Sequence, residues 1–104
     1  MKMIQVIIKR PGEKPKHVML SNTLKAMQEV VGGYIETYTF ADNACIICNS
    51  EGKLEGLPFN VNLFGEDFAG TIIFAGIKGD EFADFNVKWD VFKFLFSECF
   101  EVKQ

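Results

Sequence analysis

Nucleophilic catalysis needs a base beside the nucleophile, and His17 is the only imidazole in the chain. It sits in a lysine-rich stretch with no acidic sequence neighbour to orient it, and reads as a solvated histidine near a strand end. Cys45-Ile46-Ile47-Cys48 has the spacing of redox and zinc motifs. The run is apolar and β-branched, however, and residues three apart on a strand face opposite ways, so the two sulfurs cannot readily share a metal. With no second Cys pair, Cys45, Cys48 and Cys99 read as buried free thiols. Glu66-Asp67 and Asp80-Glu81 are adjacent acids in turn-like contexts, solvated rather than paired for acid–base work. Gly65 to Gly70 has the glycine spacing of a phosphate loop, but Thr71 stands where the lysine is required. The chain therefore reads as a non-enzyme with no metal site and no cofactor.

Binding chemistry is better represented. Lys9, Arg10, Lys14, Lys16 and His17 form a local basic cluster, which either solubilises a turn or offers a patch for phosphate or carboxylate. Asn49, Asn60 and Asn62 carry amides that donate and accept together, suiting base, ribose or backbone recognition. Asparagines are equally good at capping irregular loops. The candidate ligand-binding set is Lys9, Arg10, Tyr34, Asn49, Asn60 and Asn62. A third feature is the Phe-rich C-terminus.

These residues need elements to hold them. Met3 to Ile8 is β-prone and ends at Pro11-Gly12, and His17 to Leu20 resumes the pattern, so the two form a hairpin. Asn22 or Ser21 offers a helix cap; Leu24, Met27, Val30 and Val31 follow at helical spacing, and Gly32-Gly33 stops the helix. Tyr34 to Phe40 alternates, and Asp42-Asn43 turns it into an antiparallel strand over Ala44 to Cys48. A tight turn follows at 49–53, with Gly52 at the left-handed position. Residues 56–70 show no clean period, and read as a long loop that is either functional or packed by its own side chains. Thr71 to Ile77 is a further strand.

From Phe85 to Val91 the pattern fits either a strand or a helix. We take a helix from about Asn86 to Glu98, because Asn86, Asp90, Lys93, Ser97 and Glu101 then share one polar sector. That choice puts Val87, Val91 and Phe94 on a second apolar face, a candidate homo-oligomer interface. The fold expected is a single α+β domain over residues 1–104. It has an antiparallel sheet of about five strands, one helix after the first hairpin and one at the C-terminus.

Composition bounds the partners. The chain has 104 residues, 48% hydrophobic, with 11 cationic against 14 acidic side chains, which excludes disorder and disfavours direct nucleic-acid binding. Residues 1–50 hold six cations and four acids, while residues 51–104 hold five and ten. The beginning of the chain lacks a signal-peptide pattern, and no stretch approaches the ~20 apolar residues that cross a bilayer. A cytoplasmic location and no membrane contact are expected.

Two segments carry a family resemblance. Asn22-Thr23-Leu24 followed by Gln28 to Glu36, and Cys48 to Leu54 followed by Gly56-Leu57-Pro58-Phe59-Asn60, resemble the domain-of-unknown-function family DUF3846. The apolar strand between Gly70 and Gly76, an acidic turn and a last helix continue the likeness over most of the chain. The resemblance implies a small accessory protein of phages or mobile elements of Gram-positive bacteria, without assigned chemistry. Family members often carry a second proline and an arginine where this chain has Phe59 and Val61, and a more polar last helix than Val87 to Phe96. The first departure weakens an anion site there, and the second strengthens the oligomer reading.

Together these features lead us to expect a phage-type, non-enzymatic protein that sequesters a small host molecule in the host cytoplasm. A nucleotide-derived immune signal is the expected ligand, making the role anti-defence. The alternative is a protein-binding inhibitor of a host defence enzyme, acting through the acidic C-terminal half.

Overall fold

The computed structural model describes residues 2–101. Strands β1 (Met3–Lys9) and β2 (Lys16–Ser21) make the expected hairpin, with Ile4 opposite Leu20 and Val6 opposite Val18. Helix α1 (Leu24–Val31) follows. Its cap is Thr23, whose Oγ1 accepts from the Ala26 N–H at 3.1 Å, and not Asn22 or Ser21. Asn22 is diverted elsewhere, donating its amide to the Phe82 carbonyl at 2.9 Å. At the other end Gly32, with φ of 82°, lets Gly32 and Gly33 both donate to the Gln28 carbonyl, which closes the helix.

Strands β3 (Ile35–Ala41) and β4 (Ala44–Asn49) pair antiparallel as expected. Residues 56–70 are not a loop. They contain β5 (Phe59–Leu63) and β6 (Glu66–Ala69), a separate two-stranded hairpin turned at Phe64-Gly65. Both turn residues have positive φ (56° and 76°), as a two-residue primed turn requires. Phe at the first of these positions hides the Asn-Gly signature from the sequence and is strained for a bulky residue. Gly52 is not left-handed as expected. It is small because an added Cβ would come within 2.9 Å of the Ala69 carbonyl oxygen.

Strand β7 (Ile72–Lys78) lies at the centre of the main sheet, between β1 and β4, and short β8 (Glu81–Ala83) continues along its β1 side. The strand order is β2-β1-β7-β4-β3, with every pairing antiparallel. The chain is thus an α+β protein with the expected sheet and both expected helices.

The sheet divides two cores. On one face α1 packs Met27 and Val31 over Ile4, Val6, Ile8, Cys45, Ile47 and Ile73. On the other, the β5–β6 hairpin and the C-terminal segment cover Ile7, Ile46, Ile72 and Phe74. Cys45 and Cys48 lie on opposite faces, as strand alternation demands. Burial pushes the Cys45 and Cys48 thiols up to about 11 and Cys99 up to about 12.

The C-terminal segment is less helical than expected. Residues 84–88 have no regular structure, α2 spans only Trp89–Leu95, and a 3-10 turn covers Ser97–Phe100. The core side follows the expected spacing: Phe92 meets the Phe74 ring edge-on at 4.9 Å, and Phe96 lies 5.1 Å from it. Val87 departs from the expected outer face. It precedes the helix, where helical spacing does not apply, and packs against the aromatic core. Val91 and Phe94 do face outward, at 43% and 83% exposure, joined by Leu95 at 57%. Among the described residues, no helix is long and apolar enough to cross a membrane.

Candidate functional site

Alternation along β1 aims Lys9 at the same face as Ile7, beneath the β5–β6 hairpin. Lys9 is only 4% exposed. Its Nζ donates to the Arg10 carbonyl at 2.8 Å and to Asn60 Oδ1 at 2.9 Å. Among the described residues no carboxylate lies within ion-pair distance of it. An ammonium has three N–H groups, so one remains beyond these two acceptors. Burial holds the Lys9 pKa below its ordinary 10.5, opposed by the charges of Cys99 and Glu13.

Asn60 fastens the hairpin to β1. Its Nδ2 donates to the Lys9 and Gly70 carbonyls, both at 2.8 Å, while its Oδ1 receives the ammonium. The amide is fully engaged and has little left for a ligand. Asn62 is bonded across the hairpin, Nδ2 to Asp67 Oδ1 at 2.7 Å.

A cleft of about 450 Å³ opens beside this fastening, between β5 and the 3-10 turn. Lys9, Phe59, Asn60, Val61 and Asn62 line it on one side, and Glu98 and Glu101 on the other. Four consecutive residues of one strand on one wall mean that the strand edge itself lines the cleft. Leu63 pairs with Glu66 across the two-residue turn, which makes that pair hydrogen-bonded and turns the Asn62 N–H and C=O away from β6. Asn60 sits at the irregularity between Phe59 and Val61, where a bulged residue is left out of the ladder.

The six sequence-derived ligand residues do not converge. Lys9, Asn60 and Asn62 share the cleft just described. Tyr34 and Asn49 line another, of about 250 Å³, with Gln28, Ser50 and Glu55. Tyr34 is open to solvent there, but Asn49 donates to the Val31 carbonyl and Glu55 and accepts from the Glu51 N–H. Arg10 is exposed and lines neither cleft. The basic cluster is thereby split: Lys9 points inward, Lys16 reaches Glu13 at 3.9 Å, and His17 rests on the Trp89 ring at 4.6 Å.

Sequence reasoning missed Phe59, Glu98 and Glu101. Only Phe59 gave a signal, as an aromatic in an aperiodic stretch, and it is 62% exposed. The carboxylates reach the cleft only because the chain turns at Phe96, where backbone φ and ψ of −122° and 45° end α2. A third depression of about 340 Å³, between the ends of β4 and β6, holds Glu36, Glu51, Glu66 and Asp67 around Tyr38.

The family model for a domain of unknown function, DUF3846, matches residues 1–92. The chain belongs to the DUF3846 family. No curated protein and no solved structure matches it. The segments that carried the DUF3846 resemblance meet in space: an added Cβ on Gly33 would come within 2.8 Å of Asn49 Nδ2. In this DUF3846 member, Gly32-Gly33-Tyr34 and Asn49-Ser50-Glu51-Gly52 together lock the end of α1 onto β4. The Lys9 cleft lies apart from them.

Proposed function

We propose that this chain is a non-enzymatic binding protein that sequesters a host molecule in the cleft between β5 and the 3-10 turn. One observation carries the reading. A buried ammonium with, among the described residues, no carboxylate partner and one unspent N–H lies at the wall of a cleft beside a strand edge. Burying a charge without an ion partner is costly, which makes a buried lysine at the wall of a cleft a functional-site candidate. The family resemblance to phage accessory proteins makes an anti-defence role in the host cytoplasm the setting of this proposal.

The nucleotide-type ligand must be held by Lys9 with Phe59 stacking on a base, since Arg10 and Tyr34 lie outside this cleft. Glu98 and Glu101 oppose several phosphates on the far wall, so ligands carrying few negative charges suit it better. Those two carboxylates favour the second reading, a protein-binding inhibitor whose acidic C-terminal half contacts the host enzyme. Outward-facing Val91, Phe94 and Leu95 support a homo-oligomer in either case.

Amide-resolved NMR titration with mononucleotides and with short peptides tests the proposal. Shifts centred on Lys9, Asn60, Asn62 and Glu98 are expected for one of the two panels. Shifts confined to Tyr34 and Asn49 would refute it.

A further inference from the structure

We infer that the occupant of the cleft is an extended peptide segment bearing basic side chains, which adds to β5 as a third strand. The inference rests on the cleft being the binding site and names the ligand class. The β5–β6 sheet has, among the described residues, two strands, and β5 pairs with β6 alone. Among the described residues, neither Asn60 nor Asn62 makes a backbone hydrogen bond outside that pair. By the β5–β6 register the Asn62 N–H and C=O turn away from β6, and with the bulged Asn60 beside them they line the cleft as a template for main-chain pairing.

Such edges are usually blunted by covering, by proline or by inward charge. Here the edge is short, and the 3-10 turn that packs beside β5 leaves a cleft of about 450 Å³ along it. Charge then selects the sequence that docks. Glu98, on the 3-10 turn, and Glu101, which caps its end, line the cleft with β5. Both are exposed, so a Lys or Arg projecting from the docked strand meets a carboxylate without losing all its water. Lys9 offers its remaining N–H to a backbone carbonyl of the same strand. Phe59, 62% exposed at one end, gives an alternate side chain a ring to lie on.

The test uses three capped octapeptides on the intact chain: alternating Thr and Lys, alternating Thr and Glu, and the Thr/Lys peptide N-methylated at alternate backbone amides. Fluorescence anisotropy reads affinity, and the amide signals of Asn60 and Asn62 read the site. The Thr/Lys peptide should bind in the micromolar range and move both amides downfield. The Thr/Glu peptide should bind at least about tenfold more weakly, and N-methylation in the pairing register should abolish binding. Glu98→Lys with Glu101→Lys should reverse the preference between the two peptide charges. Equal binding of both charges, tolerance of N-methylation in the pairing register, or no binding at millimolar peptide would overturn the inference. If adenosine monophosphate moves the same amides while the peptides do not, the peptide assignment falls and the cleft survives as a small-molecule site. If neither probe moves them, the cleft reading falls as well.

Discussion

Replacing Asn60 by Ala removes three hydrogen bonds at once. Two are neutral amide donations to the Lys9 and Gly70 carbonyls at 2.8 Å, and one is accepted from the Lys9 ammonium at 2.9 Å. Neutral bonds contribute about 1 kcal/mol each and one to a charged group about 2. The site is part-buried beside an open cleft, so water recovers some of this, leaving about 3 kcal/mol. For a chain of this size each kcal/mol shifts the melting temperature by roughly 4–8 °C, so calorimetry should show a fall of roughly 12–24 °C. Asn60→Asp keeps the acceptor, and as a carboxylate pairs with Lys9, but leaves both carbonyls without their donor. It should recover roughly half of the loss. Loss of the fastening should also appear as faster amide exchange in β5 and β6 than in β7. A fall below roughly 4 °C for Asn60→Ala would refute the argument that this amide holds the hairpin down.

Further outcomes follow from the geometry. Gly76→Ala places a Cβ 2.1 Å from the Asp84 carbonyl oxygen, and should cost on the order of 3 kcal/mol or more in urea unfolding. Phe64→Asn relieves the left-handed strain but loses the stacking on Tyr38 and Phe40, so it should stay within about 1 kcal/mol of the parent, whereas Phe64→Ala should lose about 2. Val87→Lys should destabilise the monomer, while Phe94→Lys should leave the melting temperature of dilute protein unchanged and lower the light-scattering mass of concentrated protein. The three thiols are raised above their ordinary 9.0, so the folded chain holds protons that the unfolded chain releases. Their contribution is complete below pH 9.0 and is lost as pH rises towards about 11 to 12, and Cys99→Ala should flatten that alkaline fall in melting temperature.

The sequence was most legible where one period ran uninterrupted. Leu24 to Val31 between a cap and Gly32-Gly33 could only be a helix, and the β-branched run at 44–48 could only be a strand. The Phe59–Leu63 hairpin escaped because its strands are short, a bulge breaks their alternation, and Phe64 occupies a turn position that normally announces itself with Asn or Gly. The sequence pattern over 84–88 misleads for a related reason: Phe85 is buried and Val87 half-buried from a stretch without regular structure, and their spacing mimics a helix face. The candidate site was half legible. Polar type pointed to Lys9, Asn60 and Asn62, but only geometry separates the amides already engaged in structure from the backbone edge left open. Glu98 and Glu101 lie some forty residues from β5 in the chain, and no local pattern could bring them to it.

The position of β7 bears on how the chain is made. During synthesis β1–β2 and β3–β4 emerge as two independent hairpins, and the strand that must join them is still to come. Until residues 72–78 leave the ribosome, β1 and β4 each present a bare hydrogen-bonding edge to the same empty lane. A nascent chain stalled before Ile72 is therefore a pair of sticky half-sheets, able to recruit a strand from a neighbouring polypeptide. Delivery of one seven-residue segment converts them into one continuous sheet.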